Sequence, residues 1–185
     1  MRDESDNTIE QLKALIEEFK KALRESTFET LLEKRALQAV LGQPASCPDC
    51  PQVFVSMPYV KELSPVYDDH IKEVARQLGL TIGTAKDIFP HGQIMSAVWA
   101  GIHAADVVIA DCTGCNSNVM YEIGLSHAIG KTTILISQSI ADVPSDFRHF
   151  KVIDYQFTPR GMAKFQLELK ESILHARRRD KGGAE

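Results

Sequence analysis

Two carboxylates frame the segment from Asp111 to Glu122, which reads DCTGCNSNVMYE. Asp111 ends an apolar run, whereas Glu122 falls in the first turns of the helix predicted to follow, where the helix dipole favours an ionised side chain. A fixed carboxylate attacks carbon as a nucleophile, or stabilises an oxocarbenium-like centre when a glycosidic bond breaks. We predict Glu122 as a catalytic residue, with Asp111 orienting the turn or a sugar. A glutamate near a helix N-terminus is also stabilising without any chemistry.

The residues between these carboxylates are suited to a tight turn with exposed backbone amides. Thr113 and Gly114 allow the turn, and Asn116 and Asn118 carry short polar side chains that favour turns and helix N-caps. We predict these four residues to bind substrate.

Two more segments are predicted to reach the same edge of a parallel sheet, where ligands bind beyond the carboxyl ends of the strands. The segment Ala85 to Pro90 follows the second predicted strand and contains Asp87. The other segment follows the first predicted strand and supplies four further candidates for substrate binding, namely Ser56, Met57, Pro58 and Tyr59.

Alternating strand and helix patterns from Gln52 onward predict an α/β fold. Apolar runs predict strands at 53–57, 80–84, 106–111, 132–137 and 151–155, and amphipathic patterns predict helices at 65–78, 91–105, 118–129 and 161–178. Apolar strands that alternate with helices indicate a parallel sheet covered on both faces. Five such strands favour the flavodoxin-like, Rossmannoid order 2-1-3-4-5.

The N-terminal part is predicted to be separate from this fold. Helical spacing of apolar residues between Asn7 and Leu41 predicts a pair of helices, and three prolines between Gln43 and Gln52 predict a linker. We divide the chain into a helical extension with its linker, residues 1–46, and an α/β domain, residues 47–185. Because the helical pair is too small for a core of its own, it is expected to dock on the domain or to form a homo-oligomer.

Composition narrows the function classes. The formal net charge of −4 gives no basic surface for nucleic acid. No apolar run approaches the roughly 20 residues of a membrane span, and the polar N-terminus is no secretory signal. A cytoplasmic location is therefore expected. The histidines lack metal spacing and no Walker-type phosphate loop occurs, so we predict neither a metal nor a cofactor.

We predict no metal-binding or ligand-binding role for the cysteines, the arginine run or His127. The pairs Cys47/Cys50 and Cys112/Cys115 are predicted at opposite ends of the sheet, which a strand separates by roughly 17–20 Å, too far for one zinc site. Reduced thiols are expected in a cytoplasmic protein. The three arginines at 177–179 are interpreted as a solvated helix end, and His127 as a partly buried structural residue.

Several of these stretches together resemble one protein family. They are VFVSMPY at 53–59, ADVVIADCTGCNSNVMYEIGLSHAIGK at 105–131, Pro144 to Arg148, and Lys151 to Tyr155. Over residues 53–155 the chain resembles nucleoside 2-deoxyribosyltransferase-like proteins, a bacterial family related in fold to Toll/interleukin-receptor (TIR) domains that cleave NAD.

The resemblance implies roles for particular residues. Glu122 matches the transferase glutamate that attacks the anomeric carbon of a nucleoside. Pro58 and Tyr59 match the loop that packs on the base or sugar, and Asp87 matches an acidic residue that contacts a sugar hydroxyl. The resemblance therefore implies a nucleoside or nucleotide as the partner molecule.

The chain also departs from the transferase pattern. Transferases carry a carboxylate where this chain has Val98 or Trp99, and another where it has Asn116. Without these groups, a neutral leaving base lacks its proton donor. Three functions stay open: N-glycosidic cleavage or transfer through Glu122, TIR-like NAD hydrolysis, and nucleotide binding without catalysis, with assembly through the N-terminal helices as a further role.

Overall fold

The computed structural model describes residues 20, 41–44, 46–88 and 94–182, with side chains described as far as Arg178. The chain divides into two units, Met1–Gln43 and Pro44–Glu185. The predicted N-terminal helices, and the self-association expected of them, lie outside the described residues and stay predictions. Among the described helices, none is both long and apolar enough to cross a membrane.

Five strands form one parallel sheet in the order β2-β1-β3-β4-β5, as predicted. Each strand lies inside its predicted range. The strands are β1 (Val53–Ser56), β2 (Ile82–Gly83), β3 (Val107–Asp111), β4 (Thr133–Ser137) and β5 (Val152–Asp154). The α/β fold with a Rossmannoid sheet is thereby confirmed.

Helices connect and cover the strands. They are α1 (Lys72–Gln77), which continues from a π-helix (Val66–Ile71), then α2 (Ala85–Ile88), α3 (Ile94–Ala104), α4 (Ser117–Ala128) and α5 (Pro159–Gly182). The π-helical start of the first predicted helix and the short helix α2 were not expected from the apolar pattern. The last helix also extends beyond its predicted ends.

The two faces of the sheet pack against different helices. Alternate strand residues such as Val55, Ile109 and Ile136 form one buried cluster with the π-helix, α1 and α5. The intervening residues, among them Ala110, pack with Val119 of α4 on the other face. This alternation follows from the pleat of a β-strand, which turns successive side chains to opposite faces. The same alternation determines the face of the sheet on which the last side chain of each strand lies.

The helix α3 lies close to β1 because Gly101 has no side chain. A Cβ atom built at Gly101 would come within 2.4 Å of the Phe54 ring and 2.8 Å of Ile88. Trp99, on the same helix, is buried. The side chains of Val98 and Trp99, at the positions where transferases carry a carboxylate, are both buried.

The cysteine pairs differ from the expectation of reduced thiols. Cys47 and Cys50 form a disulfide bond, whereas Cys112 and Cys115 are free. A backbone hydrogen bond from Cys50 N to the Cys47 carbonyl closes the turn, and the two Cα atoms lie 5.2 Å apart, within bridging distance. The reduced-thiol prediction is therefore wrong for the first pair.

Candidate active site

Glu122 lies in the second turn of α4 and is half-buried. Its side chain interacts with that of Ser56, the last residue of β1, which is only 2% exposed. The Ser56 hydroxyl has no hydrogen-bond partner of good geometry among the described residues. It is thus a buried polar group beside the candidate carboxylate, available to a ligand atom.

The protonation of Glu122 differs from the sequence-based expectation. Burial raises the pKa of Glu122, and the Ser56 hydroxyl opposes that rise only in part. The expectation of a carboxylate held ionised by the helix dipole is therefore wrong in direction. The dipole acts within the first turn, and Glu122 lies beyond it, so the loss of water around the carboxylate decides the shift.

Tyr59 lies near Glu122, beyond the end of β1. Burial raises the pKa of the Tyr59 hydroxyl, the Thr84 side chain lowers it, and the charge of Glu122 raises it again. The ring is 51% exposed, and the Lys86 ammonium lies 3.8 Å from its centroid. Tyr59 therefore offers an exposed aromatic surface next to a carboxylate and a cation.

Asp87 is held by three hydrogen bonds that all end on Oδ2. Thr84 donates through its backbone N (2.7 Å) and its hydroxyl (2.9 Å), and the Tyr67 hydroxyl donates from 3.0 Å. Burial alone would raise the pKa of Asp87, but these donors hold it below its ordinary value. The bond to the Thr84 backbone is half of a capping box at the start of α2.

These contacts bring together residues from three segments. We call Ser56, Tyr59, Asp87 and Glu122 the carboxyl-edge cluster, since all four lie beyond or beside the carboxyl ends of β1, β2 and β3. The charges of both Glu122 and Asp87 act on the Tyr59 hydroxyl. Met57 and Pro58, predicted to bind substrate, are both buried, and Met57 belongs to the same apolar cluster as Val55.

Asp111 belongs to a different network. Its Oδ1 accepts bonds from the Thr113 backbone N (3.0 Å) and hydroxyl (2.6 Å), and its Oδ2 accepts from the Tyr155 hydroxyl (2.8 Å). Asp111 is fully buried, and burial raises its pKa although these donors oppose the rise. By the pleat it lies on the face of Ile109 and α5, opposite to α4. The contacts fit the role of orienting the turn.

The other predicted turn residues also make internal contacts. Gly114 has a φ of 73° and donates its N–H to Asp142 Oδ2 (2.8 Å). The Asn116 side chain caps α4 by accepting from the N–H groups of Asn118 and Val119. Asn118 is exposed in the first turn of α4. The turn therefore positions Glu122 by fixing where α4 begins.

Three residues near the cluster were missed from the sequence. Tyr67 and Thr84 hold Asp87, and Lys86 covers Tyr59. The signal for Thr84 was present as the T-x-x-D spacing of a capping box. Tyr67 gave no signal, because its contact spans twenty residues and depends on the packing of the π-helix.

A large groove lies at the amino edge of the sheet, away from the carboxyl-edge cluster. It has a volume of about 840 Å³ and is lined by residues at the amino ends of β4 and β5 and on α5. The predicted site residues do not line it. Within the described ranges, His, Cys, Asp and Glu side chains form no group of three or more that could hold a metal ion.

Comparison with known proteins supports the fold. No family model and no curated protein matches the chain. A solved structure, the TIR domain of the Toll-related receptor TRR-2 from Hydra magnipapillata, superposes with a TM-score of 0.52 at 12% sequence identity. The match covers 65% of this chain and 98% of that domain. The chain therefore has a TIR-like α/β fold, while the transferase resemblance has no support from these comparisons.

Proposed function

We propose that the chain cleaves the N-glycosidic bond between ribose and nicotinamide in an NAD-type dinucleotide. The single observation that supports this most is the side chain of Glu122 beside the buried Ser56 hydroxyl and the exposed Tyr59 ring. The TIR-like fold is consistent with this proposal, because the sequence resemblance of residues 53–155 implies a family related in fold to TIR domains that cleave NAD.

The reaction needs little besides a carboxylate. The bond from C1′ to the pyridinium nitrogen breaks, and its electron pair neutralises the ring, so nicotinamide leaves without a proton donor. Glu122 stabilises the oxocarbenium-like centre that develops at C1′, or bonds to it. Water then adds its oxygen to C1′ and releases a proton. Tyr59 supplies a surface against which a ring can stack.

The raised pKa of Glu122 also favours a cationic substrate. A positive charge close to a carboxyl group lowers its pKa. Binding of a pyridinium ring would therefore oppose the effect of burial on the pKa of Glu122 and favour the ionised form that the reaction needs. A neutral nucleoside would not provide this charge, and its departing base would also need a proton.

Two other functions are weighed against this one. Deoxyribosyl transfer through a glutamate nucleophile is disfavoured by the interior positions of Val98 and Trp99 and by the helix-capping role of Asn116, since no carboxylate stands at any of them. Nucleotide binding without catalysis is consistent with Asp87 and Glu122 acting only as contacts to a ligand.

The test is to incubate the protein with NAD⁺, with NADH and with a deoxynucleoside plus a second base, and to separate the products by chromatography. We expect nicotinamide and ADP-ribose from NAD⁺ and no cleavage of NADH, whose dihydropyridine ring is neutral. Glu122→Gln should abolish the release of nicotinamide. Glu168→Gln on α5, which removes a carboxylate paired with Lys164, should not.

The outcomes separate the three functions. A new nucleoside formed from the second base would establish transfer and replace our proposal. Nucleotide binding by calorimetry with no product would establish a binding module. Equal turnover by wild type and Glu122→Gln would remove Glu122 from the mechanism.

A further inference from the structure

The groove at the amino edge of the sheet has a basic rim. Lys131 precedes β4, Lys151 precedes β5, and His175 and Arg178 project from α5, with Glu171 as the acidic residue among the lining side chains. This concentration of cations occurs in a chain whose formal net charge is −4. Clefts lined by one sign of charge attract ligands of the opposite sign.

Cations outnumber acidic side chains among the described residues that line the groove. The carboxyl ends of α4 and α5 lie at the same edge, and each helix end carries about half a negative elementary charge. Among the described residues that line the groove, three cationic side chains, Lys131, Lys151 and Arg178, stand against one acidic side chain, Glu171. The Lys131 ammonium donates a hydrogen bond to the Ala105 carbonyl (2.6 Å), which fixes its position.

The floor of the groove is apolar and aromatic. Phe150 is 40% exposed and Leu174 is 41% exposed. The Phe150 ring centroid lies 4.7 Å from that of His127 and 4.0 Å from that of His149. Burial lowers the pKa of His127, with a further contribution from the charge of His149. An uncharged imidazole beside a phenyl ring provides a surface for a planar group.

From these observations we propose that the groove is a second ligand site, which binds a phosphorylated small molecule with an aromatic base, that is, a nucleotide. The volume of about 840 Å³ falls in the range of small-molecule sites, roughly 300–1,000 Å³. Lys151 and Arg178 contact the phosphates, and Phe150 contacts the base. The site is distinct from the carboxyl-edge cluster, at the opposite ends of the strands.

The proposal changes the interpretation of the arginine run. Read from the sequence, 177–179 is a solvated helix end. In the structure, Arg177 pairs with Asp106 at 3.2 Å, whereas Arg178 lines the groove. Consecutive residues of a helix point about 100° apart, so one arginine anchors α5 near β3 while the next faces the ligand site.

The test is calorimetric titration of the full chain with ATP, pyrophosphate and adenosine. We expect ATP to bind most tightly, pyrophosphate less tightly and adenosine least, with ATP affinity falling as salt concentration rises. The double variant Lys151→Glu/Arg178→Glu should weaken ATP binding by about tenfold, equivalent to about 1.4 kcal/mol. The matched variant Lys164→Glu/Arg160→Glu, on the same helix but outside the groove, should bind as wild type.

Glu122→Gln separates this site from the proposed reaction, because it should leave ATP binding by the groove unchanged. A second measurement does not depend on variants: pyrophosphate should shift the imidazole NMR signals of His127 and His175, but not those of His70. ATP binding that the groove variant leaves intact would overturn the proposal. So would ATP binding that Glu122→Gln abolishes, or histidine signals that do not respond.

Discussion

The hydrogen bond between Tyr155 and Asp111 should stabilise the fold more than any other side-chain contact described above. Both residues are buried, with exposed fractions of 2% and 0%, and the O–O distance is 2.8 Å. Tyr155→Phe removes the hydroxyl only. The ring keeps its contact with Phe165, whose centroid lies 4.9 Å away, so the substitution opens almost no cavity.

The expected loss follows from the charge of the acceptor. A hydrogen bond to a charged group contributes about 1.5–3 kcal/mol, and the buried Asp111 Oδ2 would lose that donor without gaining water. For a chain of this size each kcal/mol shifts Tm by roughly 2–4 °C, so we expect Tm to fall by about 3–12 °C.

The pH dependence gives a second, independent expectation. Burial already raises the pKa of Asp111 in the folded state, and loss of the Tyr155 donor raises it further. The stability deficit of the variant should therefore grow as pH rises, because the ionised form of Asp111 loses more than the protonated form when the donor is removed. It should shrink as pH falls and Asp111 becomes protonated in both proteins, leaving a neutral hydrogen bond worth about 1 kcal/mol.

The assay is thermal and urea unfolding, followed by the fluorescence of Trp99 and by circular dichroism, between pH 4 and pH 8. Tyr121→Phe is the matched control, since Tyr121 is 49% exposed and its hydroxyl is solvated. An unfolding free energy for Tyr155→Phe within about 0.5 kcal/mol of wild type at pH 7, the range of surface substitutions, would refute the reasoning. A deficit that grows as pH falls would refute the sign of the Asp111 contribution.

Three further predictions use matched substitutions. Gly101→Ala should lower the free energy of unfolding by about 1–3 kcal/mol, because its Cβ would overlap a buried ring. Gly124→Ala has open space at its Cβ and should raise the free energy of unfolding by about 0.5–1 kcal/mol. Chemical denaturation measures both changes, and equal effects would contradict the packing. Asn116→Ala should cost about 1 kcal/mol through loss of the α4 cap, and Asn118→Ala should cost much less in the same experiment. Glu122→Gln should raise the free energy of unfolding at neutral pH, since folding raises the pKa of the carboxyl group that the substitution removes. This gain should vanish below the ordinary glutamate pKa. A gain that does not change with pH would contradict the prediction.

The sheet was predictable because its signals are local. Each strand is a short apolar run. The alternation of strands with helices favours the flavodoxin-like strand order 2-1-3-4-5, which the observed order β2-β1-β3-β4-β5 confirms. The boundaries of α4 were equally accessible, since Asn116 is a preferred N-cap residue. The disulfide bond between Cys47 and Cys50 could not be predicted in the same way. A cytoplasmic location favours reduced thiols, whereas the bond depends on the turn that brings the two sulfur atoms together.

The candidate site was only partly predictable. Sequence order placed Ser56, Asp87 and Glu122 at one edge of the sheet, which parallel strands require. It could not separate Asp111 from that group, because the face to which a strand-end side chain turns depends on the register of the whole sheet. The direction of the Glu122 pKa was missed for a related reason: burial is a property of the packed α4, whereas the helix dipole can be inferred from position alone.

Two carboxyl groups with opposite pKa shifts now lie near one exposed tyrosine. Three donors on one oxygen hold the pKa of Asp87 low, while burial holds the pKa of Glu122 high. Such a division favours the ionised form of Asp87 and disfavours that of Glu122. Asp87 contributes a negative field at the Tyr59 hydroxyl. Under the function proposed above, the positive charge of a bound pyridinium ring should lower the pKa of Glu122 and favour its ionised form.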